Sequence, residues 1–401
     1  MRSSRRGRRC RGRCRSIRRG RRAPRRPTTS SRVTTGGGRC EAPAVTGLET
    51  PGVWSAEGTS PGAIEAALRQ LLEQQYQESE AYVPARVLNL IAIVDREWRG
   101  EIVNRLERLG RFHPSRTIVC ALEPRRDRLD AWATMTTHHG SSPGSLAVCE
   151  ERVEIEMGQR HIDGLDTIVD PLIVHDLATV VWSPHGHDDA VDALVDLADV
   201  FLIDSVEAPA PEAAIARAEQ LLQTGYVVDL AWLRSTPWRE RIAATFDPPA
   251  WRPSLERIEE VVVRHHPESA LSALLLVGWM ASRLRWEPGA MLQQNGSMLA
   301  RARTRKHEVK LRLEPEARQS VPGLAGITLA TSAGVSLSLD RGPGGLAAKR
   351  RLRDGRESNY VVLGASRGET GILGEGIRQA LLRDPTYGPA LSAASSMLGS
   401  A

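Results

Sequence analysis

Residues 86–94 read RVLNLIAIV and residues 116–122 read RTIVCAL. Each is a short, almost unbroken apolar run rich in β-branched side chains and bounded by polar residues. That is the pattern of a strand covered on both faces. Between them, Ile102, Leu106 and Leu109 recur at helical spacing. Parallel strands need a long crossover, usually a helix, so strand–helix–strand predicts a parallel sheet.

The same texture continues in both directions. Residues 146–157 alternate apolar and polar, as a half-exposed strand does, and residues 178–182 (ATVVW) form a short buried run. Val191, Leu194 and Val195 mark a helix, residues 200–203 a strand ending at Asp204-Ser205, and Ile215, Ala218 and Leu222 the next helix. Upstream, Ser60 is an N-cap followed by Pro61 at a favoured first helical position. Ile64, Leu68, Leu71 and Leu72 then make one apolar stripe running to about Glu78.

The second half changes character. Residues 229–244 and 254–264 read as helices, and residues 268–285 are apolar nearly all round, predicting a central buried helix. Strands are expected at 308–313, 326–330, 335–339 and 359–363, with a closing helix near 372–382. The expected fold is an α/β N-terminal domain with a mostly parallel sheet, then an α+β C-terminal domain of a helix cluster and a small antiparallel sheet. The expected boundaries are a disordered Arg-rich tail at 1–60, domains at 61–235 and 236–390, and a flexible C-terminus at 391–401.

The net charge of +6 is a property of the tail. Residues 1–40 hold sixteen Arg and no acid, leaving 38 basic against 48 acidic residues in 41–401, a net of −10. An acidic body argues against nucleic-acid binding outside the tail. The tail itself reads as a dispensable disordered arm, a basic arm touching nucleic acid or an acidic partner, a transit-like segment, or a start codon placed too far upstream. The five Cys (Cys10, Cys14, Cys40, Cys120 and Cys149) lack disulfide-framework density, which fits a reduced cytoplasm. The longest apolar run, residues 270–281, falls short of the roughly 18 residues of a membrane span.

Catalytic motifs are sparse. His185-Gly186-His187-Asp188-Asp189 follows the strand ending at Trp182, where metallohydrolases place ligands. It lacks the last His of H-x-H-x-D-H, since Ala190 stands there. The bland reading is a polar loop opening a helix, and a metal-dependent hydrolase using His185 and His187 is the alternative function. Residues 361–368 (VVLGASRG) imitate a dinucleotide turn, but Glu369-Thr370 interrupt the motif and too few residues follow for a βαβαβ half. Gly371, Gly374 and Gly376 precede no Lys-Ser or Lys-Thr, and no GxSxG occurs. No cofactor is expected. The basic run Arg301, Arg303, Arg305, Lys306 reads as a solvated face or a contact for phosphate or an acidic surface. Among nine Trp, Trp182 and Trp279 lie in apolar runs and read as core. Trp232, Trp238 and Trp251, with Arg234 and Arg239, lie in polar, Pro-bearing surroundings and are candidate partner-binding residues.

Four stretches together resemble the OpcA family of glucose-6-phosphate dehydrogenase assembly proteins. They are His113-Pro114-Ser115-Arg116 launching a strand; Trp182 closing a strand before Ser183-Pro184; Asp229 through Trp232, Arg234, Pro237, Trp238 and Arg239; and Gly278-Trp279 through Arg283. A weaker match lies at Asp384-Pro385-Thr386-Tyr387. Order and spacing agree over about residues 60–390. The resemblance implies a non-catalytic, cytoplasmic partner of glucose-6-phosphate dehydrogenase that favours its active oligomer in the oxidative pentose phosphate pathway. The Arg-rich extension and the HGHDD loop depart from the family pattern.

Overall fold

The computed structural model describes residues 52–78, 86–110, 113–138, 148–208, 210–363 and 368–399. Most of the Arg-rich tail, and the glycine turn at 364–367, lie outside them. The first half runs β1 (Gly52–Ala56), α1 (Pro61–Glu78), β2 (Leu88–Asp95), α2 (Arg99–Gly110), β3 (Ser115–Leu122), β4 (Asp130–His138), β5 (Val148–Met157), α3 (Leu165–Val169), β6 (Thr179–Trp182), α4 (Asp188–Ala193), β7 (Val200–Ile203), α5 (Pro211–Leu222) and β8 (Tyr226–Asp229). These strands form one sheet in the order β1-β4-β5-β3-β2-β6-β7-β8. From β5 to β8 every neighbour is parallel. β4 and β1 add an antiparallel edge.

Counted along the chain, the parallel strands stand third, second, first, fourth, fifth and sixth across the sheet. This is the doubly wound order, in which successive crossovers go to opposite faces and a crevice opens where they diverge. Here the divergence falls between β2 and β6. The central strand β2 is buried on both faces from Leu88 to Val94, which is why its sequence is continuously apolar. The edge was harder to read. β4 buries Ala131, Ala133 and Met135 and turns Trp132 and Thr134 outward, but its inner face is too small to stand out as a run. β1 pairs with β4 from Gly52 to Ala56, so ordered chain begins before the expected 60/61 boundary.

The second half runs α6 (Leu230–Arg234), α7 (Thr236–Phe246), α8 (Arg252–Leu255), β9 (Ile258–His265), α9 (Ala270–Leu284), β10 (Glu287–Pro288), β11 (Leu292–Gln294), β12 (Ser297–Arg303), β13 (Glu308–Pro315), β14 (Leu324–Thr331), β15 (Ser336–Gly342), β16 (Gly345–Arg351), β17 (Glu357–Leu363), α10 (Gly368–Leu382) and α11 (Tyr387–Leu398). The sheet is nine-stranded and not small: β10-β12-β13-β9-β14-β15-β16-β17, with β11 on β12. It is mixed, because β9 and β13 run parallel. The helix expected at 254–264 is corrected to strand β9. Ile258 and Val261 have helical spacing, but Ile258, Val261 and Val263 are β-branched and point into the core from the middle of the sheet.

The flexible C-terminus expected at 391–401 is corrected as well. Tyr387, Ala390, Leu391, Ala394 and Met397 form one buried stripe of α11, which packs on α9 and α5. α10 packs on α2, α6 and the β7–β8 edge of the first sheet. The last two helices therefore help cover the first sheet, and the described residues form one compact unit.

The α9–α11 crossing is close because Gly278 has no side chain. A Cβ there would lie 2.3 Å from the Ala390 carbonyl oxygen and 3.1 Å from the Ala394 nitrogen. Gly278→Ala gains about 1 kcal/mol of helix propensity but overpacks against backbone, which costs about 1–3 kcal/mol. Net destabilisation of up to about 2 kcal/mol is expected in denaturant unfolding; stabilisation would refute the close crossing.

Candidate functional site

β8 ends at Asp229, and that carboxylate is the hub of a buried junction. Asp229 is 1 % exposed. It caps α6 by accepting from the Ala231 N–H at 2.9 Å. It also accepts from the Ser205 hydroxyl at 2.7 Å, the Ser205 N–H at 3.2 Å and the Tyr387 hydroxyl at 3.1 Å. Burial, then the nearby Asp204 carboxylate, push its pKa up to about 6 despite these donors. Burial and the Asp229 charge push Tyr387 well above the usual phenol range.

Next to it, Trp232 donates its indole N–H to Asp384 Oδ2 at 2.9 Å. The Arg239 guanidinium lies 3.6 Å over the Trp232 ring centroid, and Arg239 Nε donates to Ser235 Oγ at 3.0 Å. Burial lowers the Arg239 pKa to about 10. Burial would raise Asp384, but hydrogen bonds from Thr386 and Trp232 outweigh it and hold the carboxyl below its ordinary value. The Asp229–Arg239 stretch and the Asp384–Tyr387 stretch thus recognise each other across the fold.

This changes the reading of the Trp candidates. Trp232 and Trp238 are buried, so their expected exposure is corrected: the polar residues around them in sequence turn inward to one another. Arg239 is nearly buried as well, its side chain 11 % exposed. Arg234, with 30 % of its side chain exposed, pairs with Asp204 at 2.7 Å. Trp251 is half-buried with Arg350 4.5 Å over its ring.

The other motif residues are also held by the fold. The His113 N–H closes the end of α2 on the Leu109 carbonyl at 3.0 Å, and the Pro114 carbonyl accepts from the Val87 N–H at 3.0 Å. Ser115 is buried and its hydroxyl lies 3.1 Å from that of Thr117. Arg116 donates to Glu151 Oε2 at 2.7 Å and to the Leu172 carbonyl at 3.0 Å. Arg86 holds the other oxygen of fully buried Glu151. Trp182 is core, Trp279 half-buried and Arg283 exposed.

A second cluster lies at the crevice. Asp95 ends β2, and Pro184 leads the chain from β6 into the loop carrying His185 and His187. His187 Nε2 is 3.0 Å from Asp95 Oδ1 and His185 Nδ1 is 3.7 Å from Asp95 Oδ2. The Asp95 N–H donates to His185 Nδ1 at 3.0 Å, and Ser183 Oγ accepts from the His187 N–H at 2.9 Å. Gly186 supplies a left-handed turn, φ 71°, between the two histidines. Asp95 escaped the sequence reading; the signal available was its place at the end of a strand lining the crevice.

Elsewhere, a shallow cavity of about 520 Å³ is lined by Arg252, Glu256, Arg257, Lys306 and His307. Much of the neighbouring basic run is already paired: Arg301 with Glu308 and Lys306 with Glu256, both at 2.8 Å, and Arg303 with Glu287 at 2.9 Å.

Two family models match in succession, both describing a glucose-6-phosphate dehydrogenase subunit. Its N-terminal domain matches residues 107–220, and its C-terminal domain matches residues 225–391. A putative OxPP cycle protein OpcA of Synechococcus elongatus is 26% identical over 238 residues, covering 57% of this chain and 50% of that protein. Its Synechocystis counterpart is 24% identical over 251 residues, covering 60% and 51%. The chain thus spans about half the length of the curated relatives it matches. Among solved structures, an oxidoreductase from Sinorhizobium meliloti aligns with TM-score 0.44 at 13% identity, over 78% of this chain and 97% of that one. A likeness that remote bears on neither fold nor function.

The buried hub sets a pH dependence. A raised carboxyl pKa means that the folded state holds the proton more tightly than the unfolded chain. Its stabilising effect is complete below the unfolded value of 3.8 and lost as pH rises through about 6. The stability of wild type relative to Asp229→Asn should therefore fall by up to about 3 kcal/mol between pH 4 and 7. Urea unfolding of both proteins across that range measures it, and a constant difference would contradict the shifted carboxyl.

Proposed function

Because the chain belongs to the OpcA family, we propose that it is a non-catalytic assembly factor that binds glucose-6-phosphate dehydrogenase and favours its active oligomer in the oxidative pentose phosphate pathway. The observation that carries this reading is the succession of the two domain matches along residues 107–220 and 225–391.

The crevice supports a binding role over a dehydrogenase role for the chain itself. In the doubly wound order, a glycine-rich turn after the first parallel strand lets the backbone approach a pyrophosphate. Here that place is taken by Asp95-Arg96-Glu97-Trp98-Arg99. Its bulky side chains, with no glycine among them, oppose the close backbone approach that a pyrophosphate needs.

A binder activates by holding the competent state of its partner more tightly than the incompetent one. A differential of about 3 kcal/mol moves that equilibrium roughly a hundredfold. Trp251 and Arg234 retain surface and suit direct contact with the partner. Trp232, Trp238 and Arg239 act through the fold, by fixing the shape of that region. Among the described residues no helix is long and apolar enough to cross a membrane, which suits work on a cytoplasmic enzyme.

The test is the purified full chain mixed with glucose-6-phosphate dehydrogenase of the same organism. Light scattering should register a larger assembly, and the apparent substrate requirement of the enzyme should fall. Trp251→Ala should weaken the assembly without changing the unfolding temperature by more than a few degrees. An enzyme whose oligomeric state and kinetics are indifferent to the chain would overturn the proposal.

A further inference from the structure

We propose that Asp95, His185 and His187 form a binding site for one divalent transition-metal cation, of the Zn²⁺ or Co²⁺ class, which ties the tip of β2 to the loop after β6. The site is independent of the assembly role and needs no bond-making chemistry.

Geometry carries the inference. One ligand atom from each residue can be chosen so that all three lie within 4.8 Å of one another. Bonds of about 2.0 Å at tetrahedral angles place ligand atoms roughly 3.3 Å apart. Asp95 Oδ1 lies 3.0 Å from His187 Nε2 and Asp95 Oδ2 lies 3.7 Å from His185 Nδ1, each close to that value. Small rotations of the side chains would complete the set.

The second observation is an orphaned atom. His187 Nε2 is buried and makes no hydrogen bond, although Asp95 Oδ1 is only 3.0 Å away. Proximity without hydrogen-bond geometry leaves an imidazole nitrogen both desolvated and unused. Such a group is destabilising unless an ion or water meets it. A cation between the nitrogen and the carboxylate satisfies both at once. His185 Nδ1 accepts the Asp95 N–H at 3.0 Å and would exchange that bond for the metal.

The ligand chemistry selects the ion class. Two imidazoles with one carboxylate favour Zn²⁺, Co²⁺, Ni²⁺ or Fe²⁺ over Mg²⁺ and Ca²⁺, which prefer all-oxygen shells. Three protein ligands leave a fourth position for water or a small anion. Gly186, at φ 71°, lets a loop of only three residues aim both rings at one carboxylate. Its Cβ position is open, with nothing within 4 Å, so backbone conformation alone requires the glycine.

Co²⁺ is the probe, because its visible absorption reports coordination directly. The full chain, with Cys10, Cys14 and Cys40 changed to Ser to remove competing thiols, is stripped with chelator and titrated with CoCl₂ by absorption and calorimetry. One cation per chain is expected, displaced by Zn²⁺, with a rise in unfolding temperature on binding. Asp95→Asn, which keeps the side chain's shape, and His187→Ala should each weaken binding by about tenfold or more and abolish the thermal shift. Absence of saturable binding in the parent chain would overturn the proposal. So would unchanged affinity in the Asp95→Asn protein with a native circular dichroism spectrum.

Discussion

The fold turns on one buried carboxylate. Asp229 ends the last strand of the first sheet, caps the helix that leads away from it, and receives hydroxyls from Ser205 and Tyr387. A desolvated carboxylate is tolerated only when donors surround it. Its four donors come from the turn after β7, the start of α6 and the start of α11. Satisfying one charge therefore fixes where three segments meet. Trp232 and Tyr387 pack beside it with ring centroids 5.7 Å apart, and Asp384 and Arg239 clamp the Trp232 ring from its edge and its face. Most of the residues most specific to the family resemblance are spent on this junction.

That allocation bears on how the molecule works. The crevice between β2 and β6 has the strand order of a ligand site, yet its first turn carries charged residues of both signs and a Trp where a nucleotide-binding turn carries glycines. Trp98 stands 46% exposed at its rim, its ring 6.2 Å from that of His185. Meanwhile the chain holds a nine-stranded sheet and two returning helices in one compact unit with the first sheet. A scaffold so extensively cross-braced suits presenting a fixed surface.

The first sheet was legible because its central strands are buried on both faces, and burial of that kind demands a continuous apolar run such as residues 88–94. β4 and β9 were not. β4 fills its inner face with Ala131, Ala133 and Met135, and β9 spaces Ile258 and Val261 so that a helix fits the local pattern equally well. At the junction the residues were visible but their role was not. A Trp among Pro, Arg and Ser reads as surface until its partners are known, and the partner of Trp232 lies 152 residues away. The two histidines were evident from spacing, whereas Asp95 joins them only through the parallel pairing of β2 with β6. Long-range pairing of this kind leaves no mark on local periodicity.

The return of α10 and α11 to the first sheet has a consequence for synthesis on the ribosome. Asp229 and Tyr387 are 158 residues apart, so at roughly 5–20 residues per second the nascent chain waits about 10–30 s between making the hub and making its last donor. Through that interval the β7–β8 edge and the apolar flank of α5 stay uncovered. The first half of this protein gains its full cover only once the second has been made, which leaves holdase chaperones a defined window, and a defined surface, on which to act.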